Sequence, residues 1–164
     1  MDHERLYKEI HRHVQAHPRD IRFAGGVSDE WIGRAEAALG LHFPPSFRYY
    51  LRKYGGGSIG GEVLNGLLGI EFDDACGPDI VYNTQLDRTQ SGLDPSLIVL
   101  VDNDGDEIFY LDAGHVDQGG ESPVIRVVIE EPTARQRYAE SFAEFLLRRV
   151  EFFLRGRQAR TARA

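Results

Sequence analysis

The spacing of apolar and polar residues divides the chain into a helical first third, a strand-rich middle and a final helix. In residues 2–17, Leu6, Ile10 and Val14 recur every four residues, which predicts an amphipathic helix with one buried face. Pro18 ends this helix. The periodicity changes from helical to strand-like after Gly61, so we expect helices and strands in separate parts of the chain rather than in alternation.

A pair of helices joined by a sharp corner follows the first helix. Ser28 is a good N-cap for a helix that ends at Gly40, where a left-handed residue is expected. Pro44 and Pro45 begin the next helix, because a missing N–H costs nothing in the first turn. Gly55 ends that helix, whose apolar stripe is expected to consist of Phe47, Tyr50, Leu51 and Tyr54.

Short strands are predicted immediately after Gly61. Glu62–Leu64 and Leu67–Phe72 have the composition of two strands joined by a turn near Asn65-Gly66. Residues Pro78–Thr89 favour a short helix on the basis of their apolar spacing.

The clearest local pattern is a hairpin in the stretch Leu97–Asp112. Two apolar runs flank Asp104-Gly105, which is the preferred pair for a two-residue type I′ turn. That turn places Val101 opposite Ile108 and Val99 opposite Tyr110. Both faces of the hairpin are apolar, so we expect its strands to be covered on both sides.

The last part of the chain is predicted to form a strand, a long helix and a tail. Val124–Ile129 favours a strand, and Thr133 with Gln136 has the form of a capping box that would begin the last helix. The expected buried stripe of this helix is Tyr138, Phe142, Leu146, Val150 and Phe153. Residues 155–164 are rich in arginine and lack core residues, so we expect one domain over residues 1–154 and a disordered tail.

The net charge of −7 is unevenly distributed. Residues 62–131 carry sixteen acidic and two basic side chains, whereas the segments before and after them are net basic. An acidic segment repels nucleic acid and anionic membranes, and it attracts cationic proteins in a salt-dependent way. We therefore expect a basic protein partner, without nucleic acid or membrane binding, and the pattern leaves the oligomeric state open.

Two short stretches concentrate the carboxylates. Three explanations remain open for the carboxylates at the tip of the Leu97–Asp112 hairpin: a solvated turn, a surface for a cationic partner, and a calcium site. An EF-hand loop with Gly105 at its sixth position would begin at Leu100, which cannot bind a metal. The candidate partner-binding residues are Asp102, Asp104, Asp106 and Glu107 at the hairpin tip, and Glu71, Asp73, Asp74 and Asp79 after the preceding strand.

The residues that could support catalysis or hold a cofactor form no recognisable site. The single cysteine, Cys76, excludes an internal disulfide and a cysteine-based zinc cluster. Gly55, Gly57 and Gly60 match the dinucleotide-binding spacing, but a helix precedes them and a strand follows, which is the wrong order. We predict a protein that is not an enzyme and has no catalytic residues, metal or cofactor. The chain shows no signal-peptide pattern and no apolar run long enough for a membrane span, so we expect a cytoplasmic location.

The corner between the second and third helices resembles the defining motif of the SUKH superfamily. That motif is a helix with Glu near its end, a Leu-Gly pair, an apolar-Pro step, an aromatic helix and a Gly-Gly pair. The stretch IGRAEAALGLHFPPSFRYYLRKYGGG, residues 32–57, matches it at Glu36, Leu39, Gly40, Phe43, Pro44, Phe47, Tyr50, Leu51, Tyr54, Gly56 and Gly57. The similarity covers residues 28–150 and includes a hairpin strand that ends in Leu111 and Asp112.

This resemblance implies an α+β fold with a mostly antiparallel sheet and helices packed around it. It also implies a bacterial immunity protein that neutralises a toxin by binding it, or a regulator like the fungal relatives that act in cell-wall assembly. Combined with the acidic middle segment, it gives our hypothesis of an immunity protein for a basic toxin domain that acts on nucleic acid. The alternatives are a regulatory scaffold that binds a cellular enzyme, and an uncharacterised hydrolase.

Overall fold

The computed structural model describes residues 3–72, 74–103, 106–128 and 130–161. The helices in these ranges are α1 (His3–Ala16), α2 (Asp29–Leu39), α3 (Pro45–Tyr54), α4 (Ile80–Ser91) and α5 (Phe142–Thr161). The strands in the same ranges are β1 (Ile21–Phe23), β2 (Gly57–Ile59), β3 (Glu62–Leu64), β4 (Leu97–Asn103), β5 (Glu107–Asp112), β6 (Val124–Val128) and β7 (Glu131–Ala139).

The strands form two antiparallel sheets, which confirms the predicted α+β class. The first sheet has the order β1-β2-β3 and the second has the order β4-β5-β6-β7. The two sheets meet where the backbone N–H of Asn65, just after β3, donates to the carbonyl of Leu100 in β4 at 2.8 Å. The hydroxyl of Thr84 in α4 accepts a hydrogen bond from the N–H of Val99 at 3.1 Å. The outer edge of β4 is therefore covered rather than left open.

The predicted corner between α2 and α3 is confirmed in its details. The Ser28 hydroxyl accepts a hydrogen bond from the N–H of Trp31 at 3.2 Å, and Gly40 ends α2 with a φ of 67°. The Glu36 carboxylate accepts from the N–H of Phe43 at 2.8 Å and from the Arg48 guanidinium at 2.6 Å. The motif glutamate therefore holds the chain between the two helices in place.

The N-terminus of α3 is capped by a residue from far along the chain. Pro44 occupies the N-cap position and offers no side-chain hydrogen bond. The Glu121 carboxylate instead accepts from the N–H and the hydroxyl of Ser46, at 2.9 and 2.5 Å. A carboxylate at this position also interacts favourably with the helix dipole. Glu121 is 4% exposed, so this contact fixes the β5–β6 connection against α3.

One large core joins the helices to both sheets. Aromatic rings of α3 and α5 meet at its centre, where the ring centroids of Phe47 and Phe142 lie 4.7 Å apart. Phe145 extends the core to Phe109 in β5, with the ring centroids 5.3 Å apart. A second, smaller apolar cluster lies on the second sheet and contains Leu97, Val99, Tyr110, Ile125 and Val127. Within the described part of the chain, no helix is long and apolar enough to cross a membrane.

The β4–β5 hairpin differs from the predicted register near its tip. Val101 pairs with Phe109 rather than Ile108, because the connection between the strands is longer than the two residues of a type I′ turn. A register shift between Val99 and Val101 then restores the predicted pair of Val99 with Tyr110. A bulge of this kind lets one strand absorb an extra residue.

The prediction of a strand at Leu67–Phe72 was wrong, and so was the turn at Asn65-Gly66. The partner of β3 is β2, and the two strands are joined through Gly60 and Gly61. Residues 67–72 instead form an irregular loop that leads towards α4.

The predicted start of the last helix was also wrong. Residues 131–139 form β7, which pairs with β6, and Tyr138 therefore lies in a strand. The helix begins at Phe142, and the Ser141 hydroxyl accepts from the N–H of Glu144 at 3.2 Å. At the other end, α5 continues to Thr161, so residues 155–161 are helical where we expected a disordered tail.

Candidate functional site

Of the predicted partner-binding residues that the structure describes, Asp102 lines a groove, which we call the acidic groove, and the others do not. The loop before α4 contributes Gly77 and Pro78, and the β4–β5 hairpin contributes Asp102. The groove has a volume of about 460 Å³. Its remaining lining residues are Val63, Asn65, Asn83, Leu86, Asp87 and Val99, from β3, α4 and β4.

Two carboxylates of like charge, Asp87 and Asp102, line the acidic groove. Burial raises the pKa of Asp87, and the negative charge of Asp102 raises it further. The pKa of Tyr110 is raised to about 12, mainly by burial, and the negative charges of Asp87 and Asp102 contribute to this rise. An ionised Asp87 is therefore unfavourable in the free protein, and a cation placed in the groove would stabilise it.

The amide side chains inside the groove donate hydrogen bonds to other groups of the protein. The side-chain nitrogen of Asn83 donates to the side-chain oxygen of Asn65 at 3.0 Å and to the carbonyl of Gly77 at 2.8 Å. The side-chain nitrogen of Asn65 donates to the carbonyl of Val99 at 3.2 Å. Because these donors are engaged, the polar lining offers mainly acceptors. Such a lining suits a positively charged hydrogen-bond donor.

The edge of the groove is apolar. Val63 is 47% exposed, and Leu86 lines the groove beside the carboxylates. Lysine and arginine side chains have an apolar stem and a charged head, and they bury the stem against such surfaces. The groove therefore has the chemistry to hold a lysine or arginine side chain of a partner protein.

The other predicted carboxylates differ in their availability. Asp74 and Asp106 are exposed. Glu71 forms an ion pair with Arg34 at 2.5 Å, and the hydrogen bonds from this guanidinium lower the pKa of Glu71. Asp73 and Asp104 lie outside the described residues.

Asp79 has a structural role that the sequence analysis did not identify. It is 0% exposed and caps α4, because its carboxylate accepts from the N–H groups of Val81 and Tyr82 at 2.9 and 3.0 Å. Burial raises the pKa of Asp79, and these hydrogen bonds oppose that rise. We do not include Asp79 in the proposed binding surface, because its side chain offers no surface to a partner.

Glu107 belongs to a partly buried ionic network that we call the Arg149 network. Glu107 contacts Arg126 and lies 3.8 Å from the Arg149 guanidinium. Arg149 also forms a two-point contact with Glu62, in which Nε donates at 2.8 Å. The charge of Glu107 is therefore neutralised within the protein.

The groove residue that the sequence analysis missed is Asp87. It lies one helical turn after Asn83, and residues four apart share a face of a helix. This spacing was visible in the sequence once α4 was placed. The apolar positions of that segment alone do not single out Asp87.

The structure shows no complete catalytic or metal-binding arrangement among the residues it describes. Asp112 and His115 are hydrogen-bonded at 2.8 Å. The nearby Ser96 hydroxyl donates to Asp94 at 2.8 Å rather than to the imidazole. In the described ranges, no group of three or more His, Cys, Asp or Glu side chains is arranged to hold a metal ion.

Comparison with known protein families gives a match that includes the acidic groove. The family model described as SMI1 / KNR4 family (SUKH-1) matches residues 26–148. The matched segment is about three quarters of the chain. It contains the α2–α3 corner, α4 and the β4–β5 hairpin.

Proposed function

Because this chain belongs to the SMI1/KNR4 family (SUKH-1), we propose that it is an immunity protein that binds and neutralises a basic toxin domain. Membership of the family supports an immunity or regulatory role in general. The specific role that we propose acts through binding rather than catalysis, in the cytoplasm where a toxin that acts on nucleic acid meets its substrate. The partner surface is the acidic groove together with the exposed carboxylates Asp74 and Asp106.

The observation that carries this proposal is the juxtaposition of Asp87 and Asp102 in a groove with an apolar edge. Two like charges held close together destabilise the free protein, so the arrangement calls for a compensating benefit. A cationic side chain in the groove would reverse the repulsion. Toxin domains that act on nucleic acid need cationic surfaces, because they must bind phosphates.

The groove suggests how the toxin would be recognised. A lysine or arginine of the toxin would lay its stem along Val63 and Leu86 and direct its charge between the two carboxylates. The surrounding acidic surface would increase the association rate by electrostatic steering, and salt would reduce this rate. The same acidic surface would compete with nucleic acid for the toxin.

The experiment is a growth-rescue assay with the toxin domain encoded beside this gene in its native genome. Cells that express the toxin domain should survive when this protein is co-expressed. The double variant Asp87→Lys/Asp102→Lys should lose the rescue, and its association with the purified toxin should slow most at low salt. The matched control is Glu130→Lys/Glu131→Lys, which reverses two exposed charges outside the groove and should still rescue.

The results distinguish the proposal from its alternatives. Failure of the unmodified protein to rescue growth would reject the immunity function. Rescue by the Asp87→Lys/Asp102→Lys variant would move the partner surface away from the groove. A genome in which no toxin gene adjoins this one would favour the second candidate, a regulatory scaffold that binds a cellular enzyme, which family membership equally supports.

A further inference from the structure

The chain contains only two lysines, Lys8 and Lys53, although it has seventeen arginines. Both lysines line the same groove between α1 and α3, which we call the lysine groove. It has a volume of about 380 Å³ and is lined also by His3, Glu4, Tyr7, His11 and Tyr49. It shares no lining residue with the acidic groove.

The floor of the lysine groove is held rigidly. Tyr7 is 3% exposed, and its hydroxyl donates to the carbonyl of Ser46 at 2.7 Å. Its ring lies against that of Tyr49, with the centroids 4.2 Å apart. Tyr49 is itself 38% exposed and presents part of its ring to solvent. The groove therefore combines a buried, hydrogen-bonded aromatic floor with exposed cationic side chains.

The charges of the two lysines are not neutralised within the described part of the protein. Lys8 and Lys53 are exposed, and neither forms an ion pair with another described residue. The neighbouring arginines behave differently, because Arg12 pairs with Glu9 at 3.2 Å and Arg52 pairs with Asp29 at 2.6 Å. The two ammonium groups can therefore accept new anionic partners without breaking an existing pair.

We propose that the lysine groove is a second binding surface, which takes an acidic segment of a protein. The two ammonium groups would bind carboxylates of that segment, and the exposed face of Tyr49 would contact its apolar atoms. Glu4 would accept an N–H of the bound backbone. Nucleic acid suits this surface less well, because its sugar-phosphate backbone has no N–H to donate to Glu4.

The scarcity of lysine makes a direct test possible. Reductive methylation with ¹³C-formaldehyde labels the two lysines and the N-terminal amine and keeps their positive charge. Titration with a hexaglutamate peptide at low salt should shift both lysine methyl signals in the NMR spectrum. Raising the salt concentration to about 300 mM should reverse most of this shift, because an exposed charge contact is screened.

Variants give the second measurement, in which the affinity for a fluorescent hexaglutamate peptide is followed by anisotropy. Lys8→Gln/Lys53→Gln should weaken binding by about tenfold or more, the loss expected when two charge-assisted contacts are removed. The matched control Arg12→Gln removes an exposed positive charge from α1 outside the groove and should change the affinity less than twofold. Thermal melts of both variants should match the unmodified protein, because these side chains are exposed.

Three results would overturn the proposal. The lysine signals could remain unchanged with hexaglutamate. Arg12→Gln could weaken binding as much as the lysine variant, which would mean that only overall charge matters. Hexathymidylate could bind more tightly than hexaglutamate, which would assign the groove to nucleic acid instead of an acidic protein segment.

Discussion

The Arg149 network should be the most sensitive ionic contact of the fold, and Arg149→Met tests it. Arg149 is 8% exposed and links α5 to β3 and β5 through Glu62 and Glu107. Its guanidinium also lies 4.9 Å from the ring centroid of Phe109. Methionine keeps much of the apolar volume, so the variant removes the charge and its hydrogen bonds with little loss of packing.

The expected cost follows from what remains after the substitution. Removal of one partner of a buried ion pair costs about 3–5 kcal/mol, because the other charge stays buried without compensation. Here Glu62 keeps a hydrogen bond from Asn103 at 3.0 Å, and Glu107 keeps its ion pair with Arg126. We therefore expect the free energy of unfolding to fall by about 3 kcal/mol. In a domain of this length, that lowers Tm by about 6–12 °C. Thermal and urea unfolding followed by circular dichroism would measure it.

Two further variants separate this explanation from a general effect of losing an arginine. Glu62→Gln/Arg149→Met removes both charges of the main pair and should recover a large part of the stability. Arg12→Met breaks an exposed pair, in which the side chains of Arg12 and Glu9 are 71% and 39% exposed, and should cost less than about 1 kcal/mol. The reasoning would be refuted if Arg149→Met melted within about 2 °C of the unmodified protein, or if the double variant were no more stable than the single one.

Three further predictions concern the corner and the end of the chain, and each is tested by thermal unfolding. Glu121→Ala should lower the free energy of unfolding by about 2 kcal/mol, because it removes the buried carboxylate that caps α3. An unchanged Tm would show that this cap is dispensable. Gly55→Ala should destabilise the protein more than Gly40→Ala. Both glycines have positive φ, but a Cβ at Gly55 would also lie 2.1 Å from a backbone oxygen. The control is Gly33→Ala, which should not destabilise the protein, because Gly33 lies on a helix with open space around it. Deletion of residues 155–164 should lower the free energy of unfolding by less than about 1 kcal/mol, because most of the described side chains that it removes are exposed, as is the ion pair between Arg157 and Asp20. A larger loss would mean that this segment is firmly docked.

The sequence predicted the features that depend on local chemistry. Ser28 as a cap, Gly40 as a left-handed helix end and Pro45 in the first turn of α3 all follow from the preferences of single residues. The β4–β5 hairpin was also found, because its strands are adjacent in the sequence and strongly apolar. The bulge shifts the register at Leu100, whose carbonyl accepts from the N–H of Asn65, a residue 35 positions earlier that leaves no local pattern.

The features that the sequence did not predict depend on distant contacts. Thr133 and Gln136 have the spacing of a capping box, yet residues 131–139 form β7 because β6 supplies a pairing edge. Glu107 looked like a free carboxylate at the hairpin tip, but Arg126 and Arg149 neutralise it from other elements. In each case the local preference was real and the tertiary contacts outweighed it.

A last prediction concerns the acidic groove: neutralising Asp87 should raise the stability of the free protein and weaken its binding of the toxin. Asp87 has a pKa raised above its ordinary value of 3.8, first by burial and then by Asp102. The ionised carboxylate is therefore penalised in the folded protein at every pH above the raised pKa, and the penalty disappears below about 3.8.

Asp87→Asn should consequently raise Tm at pH 7, by up to about 2 °C for a partly exposed pair of like charges, and the gain should vanish near pH 3. The same variant should bind the toxin more weakly, since the cation loses one of its two carboxylates. Glu130→Gln is the control, because this exposed carboxylate lies outside the groove and outside the proposed partner surface. A Tm gain that persisted at pH 3 would attribute the effect to packing rather than to charge. A variant that gained stability without losing affinity would show that the repulsion between Asp87 and Asp102 does not serve the binding of a partner.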